Sequence, residues 1–245
     1  MTSRTVFLSL LAAASLSTAP RPITVWIAGD STAAEKLASK RPETGWGEML
    51  GQYFRPAEVR VANRALNGRS TKSFVSEGHW RAITDSIQAG DYVFIQFGHN
   101  DEPGKASYSP PDVFKKNLSQ MIDEVQARGG LPVLMTPVVR RRFDANGRLE
   151  NTHGEYPELT RAVATERKVP LIDMERGSAA VLQSFGADSS AKLFLQLAPG
   201  ENPNYPEGVK DNTHFRPLGA ELMARIAVDG ITALKLELAA HLHSR

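Results

Sequence analysis

Residues 23–32 read ITVWIAGDST, an apolar run that leads directly into a glycine, an aspartate, a serine and a threonine. A continuous apolar run of this length indicates a strand buried on both faces of a parallel sheet. The polar residues after it predict a tight turn at the carboxyl end of the strand, with Ser31 projecting into a crevice. Open α/β sheets place their functional sites at this edge, so the turn marks the first candidate site.

The alternation of strand and helix patterns continues along the chain. Further strands are predicted at residues 59–66, 92–97, 131–136 and 169–172, and helices at 45–54, 73–89, 110–128, 155–168 and 175–185. Strand followed by helix, repeated about five times, favours a parallel sheet with helices on both faces. We therefore predict an α/β fold, a three-layer α/β/α sandwich with a mainly parallel five-stranded sheet.

The last part of the chain predicts a loop and then a helix. Residues 199–212 are rich in proline, glycine and asparagine and predict a loop. A helix is predicted to begin near Pro217, because proline suits the first helical turn. Large apolar residues are expected to form its buried face, namely Leu218, Leu222, Ile226, Ile231, Leu234 and Leu238.

Length and composition fit one globular domain, predicted here at residues 21–245. The chain has 245 residues, of which 41% are hydrophobic and 23% charged, and no linker or repeat divides it. A net charge of +2 and the lack of a nucleic-acid motif predict no nucleic-acid partner. Because there is no cysteine, disulfides and thiol nucleophiles are excluded. No metal-ligand or phosphate-binding motif occurs, so no metal and no cofactor are expected, and a monomer is expected.

Residues 1–20 have the pattern of a secretory signal. Arg4 provides a positive start, residues 6–16 are apolar, and residues 17–19 end on a small residue before Pro20. This run is too short to span a bilayer stably, and no other stretch approaches a membrane span, so no membrane partner is expected. An N-terminal core or disordered segment is the alternative. The pattern favours export and predicts a secreted or periplasmic protein.

Five residues with catalytic potential are predicted to meet at the carboxyl edge of the sheet. Each of the first, second and third strands is followed by one of Ser31, Gly68 and Asn100, and Asp211 and His214 precede the last helix. A serine hydroxyl needs a base, an orienting acid and oxyanion donors before it acts as a nucleophile. Turn formation, capping or simple surface exposure is the alternative reading of each residue.

Four short blocks carry a family resemblance: GDS at 29–31, NGRS at 67–70, GHND at 98–101 and DNTH at 211–214. In this order they resemble the signature blocks of the GDSL, or SGNH, hydrolases, and within them the rhamnogalacturonan acetylesterases of carbohydrate esterase family 12. The resemblance implies the flavodoxin-like SGNH hydrolase fold and a serine esterase. It implies Ser31 as nucleophile, His214 as base and Asp211 as its orienting acid, with an oxyanion hole from the Ser31 and Gly68 amides and the Asn100 side chain.

Together with export, the resemblance implies an acetylated plant cell-wall polysaccharide or oligosaccharide as the substrate. Pectic rhamnogalacturonan is the first choice and acetylated xylan the rival. A broad-specificity lipase or thioesterase of the same superfamily stays open, as does a non-catalytic carbohydrate-binding protein on this scaffold. Five residues are candidate substrate contacts, because aromatic rings can stack on sugars and an arginine can bind sugar carboxylates. Packing in the core or exposure to solvent is the alternative explanation for each. They are His79, Trp80, Tyr108, Tyr205 and Arg140.

Overall fold

A five-stranded parallel sheet forms the centre of the computed structural model, which describes residues 21–243. The strands are β1 (Ile23–Gly29), β2 (Val59–Asn63), β3 (Tyr92–Gln96), β4 (Leu131–Met135) and β5 (Leu171–Ile172). They lie in the order β2-β1-β3-β4-β5, and each neighbouring pair is parallel. The predicted sheet is confirmed. The predicted signal at residues 1–20 lies outside the described residues.

Helices cover both faces of the sheet. One layer contains α1 (Trp46–Met49), α6 (Met174–Ser189) and α7 (Pro217–Ala233), and the other contains α2 (Thr71–Ser76), α3 (His79–Thr84), α4 (Pro111–Gln126) and α5 (Tyr156–Arg167). Side chains alternate across a strand, so β1 sends Val25 into one core cluster and Trp26 into the other. The three-layer α/β/α prediction is confirmed. Within residues 21–243, every helix is too short or too polar to cross a membrane.

A separate antiparallel hairpin corrects the prediction of a loop at residues 199–212. The hairpin pairs β6 (Phe194–Leu197) with β7 (Val209–Phe215). Strand β7 was missed because its residues alternate between exposed and half-buried positions and most are polar, so it lacks an apolar run. Asp211 and His214 therefore lie on a strand rather than in a loop, within a register irregularity between the pairs Gln196–Lys210 and Phe194–Phe215.

The buried face of α7 agrees with the prediction in part. Ile231 and Leu238 are fully buried, and Leu222 and Ile226 pack partly buried against the core. Leu218 is 46% exposed and Leu234, just beyond the helix end, is 40% exposed. A Cβ on Gly219 would lie 2.0 Å from the carbonyl oxygen of Leu193, so the helix start lies against the preceding segment too closely for large side chains. The buried residues are accordingly mostly small, comprising Gly219, Ala220, Met223, Ala224, Ala227, Val228 and Ile231.

Candidate active site

Three of the predicted site residues form a continuous chain of hydrogen bonds at the carboxyl edge of the sheet. The Ser31 Oγ lies 2.8 Å from Nε2 of His214, and Nδ1 of His214 lies 2.7 Å from Oδ2 of Asp211. A carboxylate can only accept a hydrogen bond, so Nδ1 of His214 carries the proton. In this tautomer the lone pair of Nε2 faces the Ser31 hydroxyl. Ser31 is 9% exposed. This arrangement can remove the proton from the serine as it attacks.

Asp211 is held on both carboxylate oxygens. Its Oδ1 accepts the backbone N–H groups of Thr213 at 2.6 Å and His214 at 3.0 Å, while Oδ2 accepts from the imidazole. Burial raises the pKa of Asp211, but the hydrogen bonds and the charge of His214 outweigh it and hold the pKa below its ordinary value. Asp211 is therefore a carboxylate near neutral pH, as an orienting acid must be.

The turn that carries Ser31 is fixed from both sides. The Asp30 Oδ1 accepts the backbone N–H of Thr32 at 2.9 Å and its hydroxyl at 2.8 Å. The carbonyl oxygen of Thr32 in turn accepts the N–H of Trp46 at 3.0 Å. A Cβ on Gly45 would lie 2.1 Å from the Ala34 carbonyl oxygen, so only glycine permits this approach of α1. Sequence reasoning missed this support, for which the GWG motif at 45–47 was the available signal.

Gly68 and Asn100 lie on two loops that are tied together. Gly68 has φ +74°, which favours glycine, and its added Cβ would have no atom within 4 Å. The backbone conformation of this loop therefore favours glycine at position 68. The Asn100 Nδ2 donates to the carbonyl oxygen of Arg69 at 3.1 Å. An amide nitrogen carries two hydrogens, so a second N–H remains for a ligand.

A buried acid–imidazole contact joins the serine turn to the GHND loop. The Asp30 Oδ2 lies 3.3 Å from Nδ1 of His99, and the two atoms do not form an aligned hydrogen bond. Burial acts to raise the pKa of Asp30, but His99 and the bonds from Thr32 bring it to about 2. Burial lowers the pKa of His99 to about 4 despite the neighbouring carboxylate. The pair therefore holds a carboxylate against a neutral ring.

Asp101 of the same loop anchors the start of α2. Its Oδ1 accepts the backbone N–H of Thr71 at 2.9 Å and its hydroxyl at 2.7 Å, while Oδ2 accepts the N–H of Gly98 at 3.1 Å. Burial raises the pKa of Asp101 to about 6 although these hydrogen bonds lower it. This carboxylate therefore links the helix after the NGRS block to the GHND loop.

Comparison with known proteins identifies the family. Residues 27–222 match the model of the GDSL-like Lipase/Acylhydrolase family. The chain belongs to this family. It is 44% identical to the rhamnogalacturonan acetylesterase RhgT of Bacillus subtilis (strain 168). The alignment spans 225 residues and covers 92% of this chain and 96% of that relative. A second relative in the same organism, the probable rhamnogalacturonan acetylesterase YesY, is 35% identical over 87% of this chain and 94% of its own length.

Solved structures agree with the fold of this GDSL-family hydrolase. The crystal structure of the YXIM protein of Bacillus subtilis superposes with a TM-score of 0.76 at 29% identity, covering 88% of this chain and 58% of that one. An acetylxylan esterase of Geobacillus stearothermophilus gives a TM-score of 0.63 at 18% identity, over 92% and 98% of the two chains. The predicted SGNH fold and the assignment as an ester hydrolase are confirmed.

Two of the predicted sugar contacts are engaged within the protein. Trp80 is 3% exposed and its indole N–H donates to Glu124 at 2.8 Å, so it is a core residue and the expectation of a substrate contact is corrected. The Arg140 guanidinium donates to Glu102 at 2.9 Å and to the carbonyl oxygens of Thr152 and His99. Arg140 thus holds the GHND loop through three of its five N–H groups, and its contact with a sugar carboxylate stays a prediction.

The remaining three candidates are partly exposed. The Tyr205 hydroxyl donates to the carbonyl oxygen of Lys40 at 2.9 Å, and His79 Nε2 lies 3.0 Å from Glu77. Tyr108 lines a cavity of about 290 Å³ together with Glu102. The substrate contacts of Tyr205, His79 and Tyr108 stay predictions.

Proposed function

We propose that this protein is a carbohydrate acetylesterase that uses Ser31 as its nucleophile. The observation that carries the proposal is the unbroken hydrogen-bond chain from Ser31 through His214 to Asp211 at the sheet edge. A serine–imidazole–carboxylate chain of this kind performs acyl transfer on several unrelated folds. Membership of the GDSL-like family supports the same reaction class.

The reaction follows from these contacts. The Ser31 oxygen attacks the carbonyl carbon of the ester while Nε2 of His214 takes the hydroxyl proton, and Asp211 stabilises the imidazolium that forms. Collapse of the tetrahedral intermediate breaks the bond to the sugar oxygen, which leaves with the proton from His214. Water, deprotonated by the same imidazole, then attacks the acetyl-enzyme carbonyl carbon. Collapse of this second tetrahedral intermediate breaks the bond to Ser31 Oγ, which takes the proton from His214 as acetate is released.

The oxyanion of each tetrahedral intermediate is proposed to lie among three donors. These are the backbone N–H groups of Ser31 and Gly68 and the free N–H of the Asn100 amide. The positive φ of Gly68 and the bond from Asn100 to the Arg69 carbonyl support this assignment, because both hold donors on facing loops. One such donor contributes about 2.7–4 kcal/mol to the transition state.

The proposed substrate is acetylated pectic rhamnogalacturonan. The support is the relative that is 44% identical across nearly all of both chains and is named a rhamnogalacturonan acetylesterase. The signal pattern of residues 1–20 supports export of the enzyme to where such polymers occur. N-terminal sequencing of protein recovered from outside the producing cells tests export: removal of the leader is expected, and an intact, retained chain would contradict it.

Acetate release by the purified enzyme tests the function. The substrates are acetylated rhamnogalacturonan, acetylated xylan, and the acetyl and octanoyl esters of p-nitrophenol, with Ser31→Ala as the control. We expect the highest kcat/KM on the pectic polymer, faster turnover of acetyl than octanoyl ester, and no turnover by the variant. Faster acetate release from xylan would make acetylated xylan the substrate in place of rhamnogalacturonan. Faster turnover of the octanoyl ester would indicate a lipase. Polysaccharide binding without turnover would indicate a binding protein.

A further inference from the structure

Behind the serine turn lies a buried ammonium group with three acceptors. The side chain of Lys36 is 1% exposed, and its Nζ lies 2.8 Å from Oε1 of Glu43. The same Nζ donates to the carbonyl oxygen of Ser31 at 2.6 Å and to Oδ1 of Asn67 at 2.8 Å. An ammonium group carries three hydrogens, so each one has an acceptor. Lys36 therefore has a defined orientation.

The acceptors of Lys36 belong to the segments that carry the proposed oxyanion amides. One acceptor is the carbonyl of Ser31 itself, and another is the side chain of Asn67, the residue directly before Gly68. These segments follow β1 and β2, and the loop at 67–68 is exposed to solvent. The Lys36 ammonium is thus a direct link between the nucleophile turn and the exposed glycine loop.

The third acceptor extends the link to the strand that carries the base. Glu43 precedes Thr44, whose backbone N–H donates to the carbonyl oxygen of Phe215 at 2.9 Å. Phe215 directly follows His214 on β7. One buried ion pair is therefore connected to the nucleophile, to the glycine loop and to the neighbour of the base.

Stability alone is a weak reason for this ion pair. Removing an ammonium and a carboxylate from water is costly, and apolar replacements of such pairs are often neutral or stabilising. The geometry points instead to a role in activity. We propose that Lys36 is a positioning residue that holds the Ser31 and Gly68 amides at the separation the oxyanion requires. The proposal rests on the esterase function proposed above, and Lys36 itself acts without touching the substrate.

Replacement of Lys36 by methionine tests the proposal, because methionine keeps an unbranched chain and removes the ammonium. On p-nitrophenyl acetate we expect Lys36→Met to lower kcat 10- to 100-fold while KM changes less than threefold, since donors that act on the transition state are misplaced. The matched control is Lys115→Met, which removes an exposed ammonium paired with Glu166 at 2.9 Å. That control is expected to keep kcat within twofold.

A second pair of variants separates positioning from folding. Lys36→Met leaves Glu43 without its charge partner, so Lys36→Met/Glu43→Gln removes the unpaired carboxylate and is expected to recover thermal stability but not kcat. Recovery of both would show a purely structural lysine and overturn the proposal. Asn67→Ala alters one exposed acceptor in a folded enzyme and is expected to lower kcat at least fivefold, with no further loss in Lys36→Met/Asn67→Ala relative to Lys36→Met.

The failures of the two proposals are distinguishable. Undiminished turnover in Ser31→Ala would overturn the serine esterase function and the role of Lys36 with it. Undiminished kcat in folded Lys36→Met and in Asn67→Ala, measured beside an inactive Ser31→Ala, would overturn the Lys36 proposal alone.

Discussion

The two carboxylate oxygens of Asp211 have separate partners, and this division has a consequence for the base. One oxygen accepts two backbone amides, and the other accepts Nδ1–H of His214. In Asp211→Asn the amide oxygen can keep the backbone bonds while its NH2 group faces Nδ1. The imidazole then adopts the Nε2–H tautomer, which cannot take the proton of Ser31.

We therefore predict that Asp211→Asn lowers kcat by about 10³–10⁴-fold on p-nitrophenyl acetate. The thermal unfolding temperature, followed by circular dichroism, is expected to stay within a few degrees of the wild type. A folded variant whose kcat is within tenfold of the wild type would contradict the role of this carboxylate.

The side chain of residue 100 has to donate a hydrogen bond and must not carry a negative charge. Asn100→Asp places a carboxylate where negative charge develops on the ester oxygen, so we predict a loss of at least about 10²–10³-fold in kcat. The matched control is Asn151→Asp, an exposed loop asparagine whose Nδ2 also donates to a backbone carbonyl, at 2.9 Å. The control is expected to be within twofold of wild type, and equal effects of the two substitutions would sink the prediction.

Residue identities alone explain part of this site. Ser31, Gly68, Asn100, Asp211 and His214 stand in motifs that indicate catalysis. The convergence of Ser31, Gly68 and Asn100 follows from a parallel sheet, whereas Asp211 and His214 lie on the separate β6–β7 hairpin. The supporting contacts of Lys36 and Gln96 could not be predicted. Lys36 occurs in a polar stretch typical of solvent-exposed chain, and Gln96 ends an apolar strand, yet its Oε1 accepts the indole N–H of Trp46 at 2.8 Å. Such pairings depend on how segments pack in space.

At the scale of elements, α1 is seated against the serine turn by a glycine contact. A Cβ at Gly45 would lie 2.1 Å from a backbone oxygen, whereas one at Gly51, six residues further on, would meet nothing closer than 3.8 Å. We predict that Gly45→Ala lowers the free energy of unfolding by about 1–3 kcal/mol or more, because α1 or the turn must shift.

Urea denaturation with fluorescence detection measures the effect of Gly45→Ala, with Gly51→Ala as the control. The control is expected to be neutral or slightly stabilising, since alanine reduces the freedom of the unfolded chain. A wild-type free energy of unfolding in Gly45→Ala would mean that the close approach of α1 is not required.

Buried strands were predictable from sequence, and the hairpin strand was not. Strands β1, β3 and β4 are apolar runs because helices cover both of their faces, and burial on both sides leaves a continuous signal. Strand β7 has its face only partly covered, so its composition resembles that of a loop. The small buried residues of α7 were not predicted, because large apolar side chains were expected to form the buried face. Where a helix packs closely against its neighbours, small side chains occupy the contact instead.

At the scale of the whole molecule, buried titratable side chains make stability depend on pH. The pKa of His99 is lowered to about 4 in the folded protein. Between pH 6.5, its ordinary pKa, and pH 4, the imidazole is therefore protonated in the unfolded chain but neutral in the folded chain. This group removes stability as pH falls from 6.5 to 4. Asp101 acts in the opposite sense, because its pKa is raised to about 6 from 3.8 and the folded state gains stability as pH falls through that window.

We predict that His99→Asn reduces the loss of stability on acidification. Between pH 7 and pH 4.5 the wild type is expected to lose on the order of 1–3 kcal/mol more than the variant, because the variant lacks the buried imidazole. Urea denaturation at both pH values measures the difference. Parallel losses in the two proteins would show that His99 does not titrate as a buried neutral ring.

The parallel sheet and the separate β6–β7 hairpin together bring residues 183 positions apart into one site. Ser31 follows β1 near one end of the described chain, and His214 lies on β7 near the other, yet their side chains are 2.8 Å apart. The central claim is that this serine is the nucleophile of an acyl-transfer reaction. The most direct measurement is mapping of the residue modified by diisopropyl fluorophosphate, using peptide mass spectrometry alongside residual acetate release. The account predicts one adduct, on Ser31, formed in step with the loss of activity and absent from His214→Ala. Modification of another residue in step with inactivation, or full inactivation with Ser31 unmodified, would contradict it.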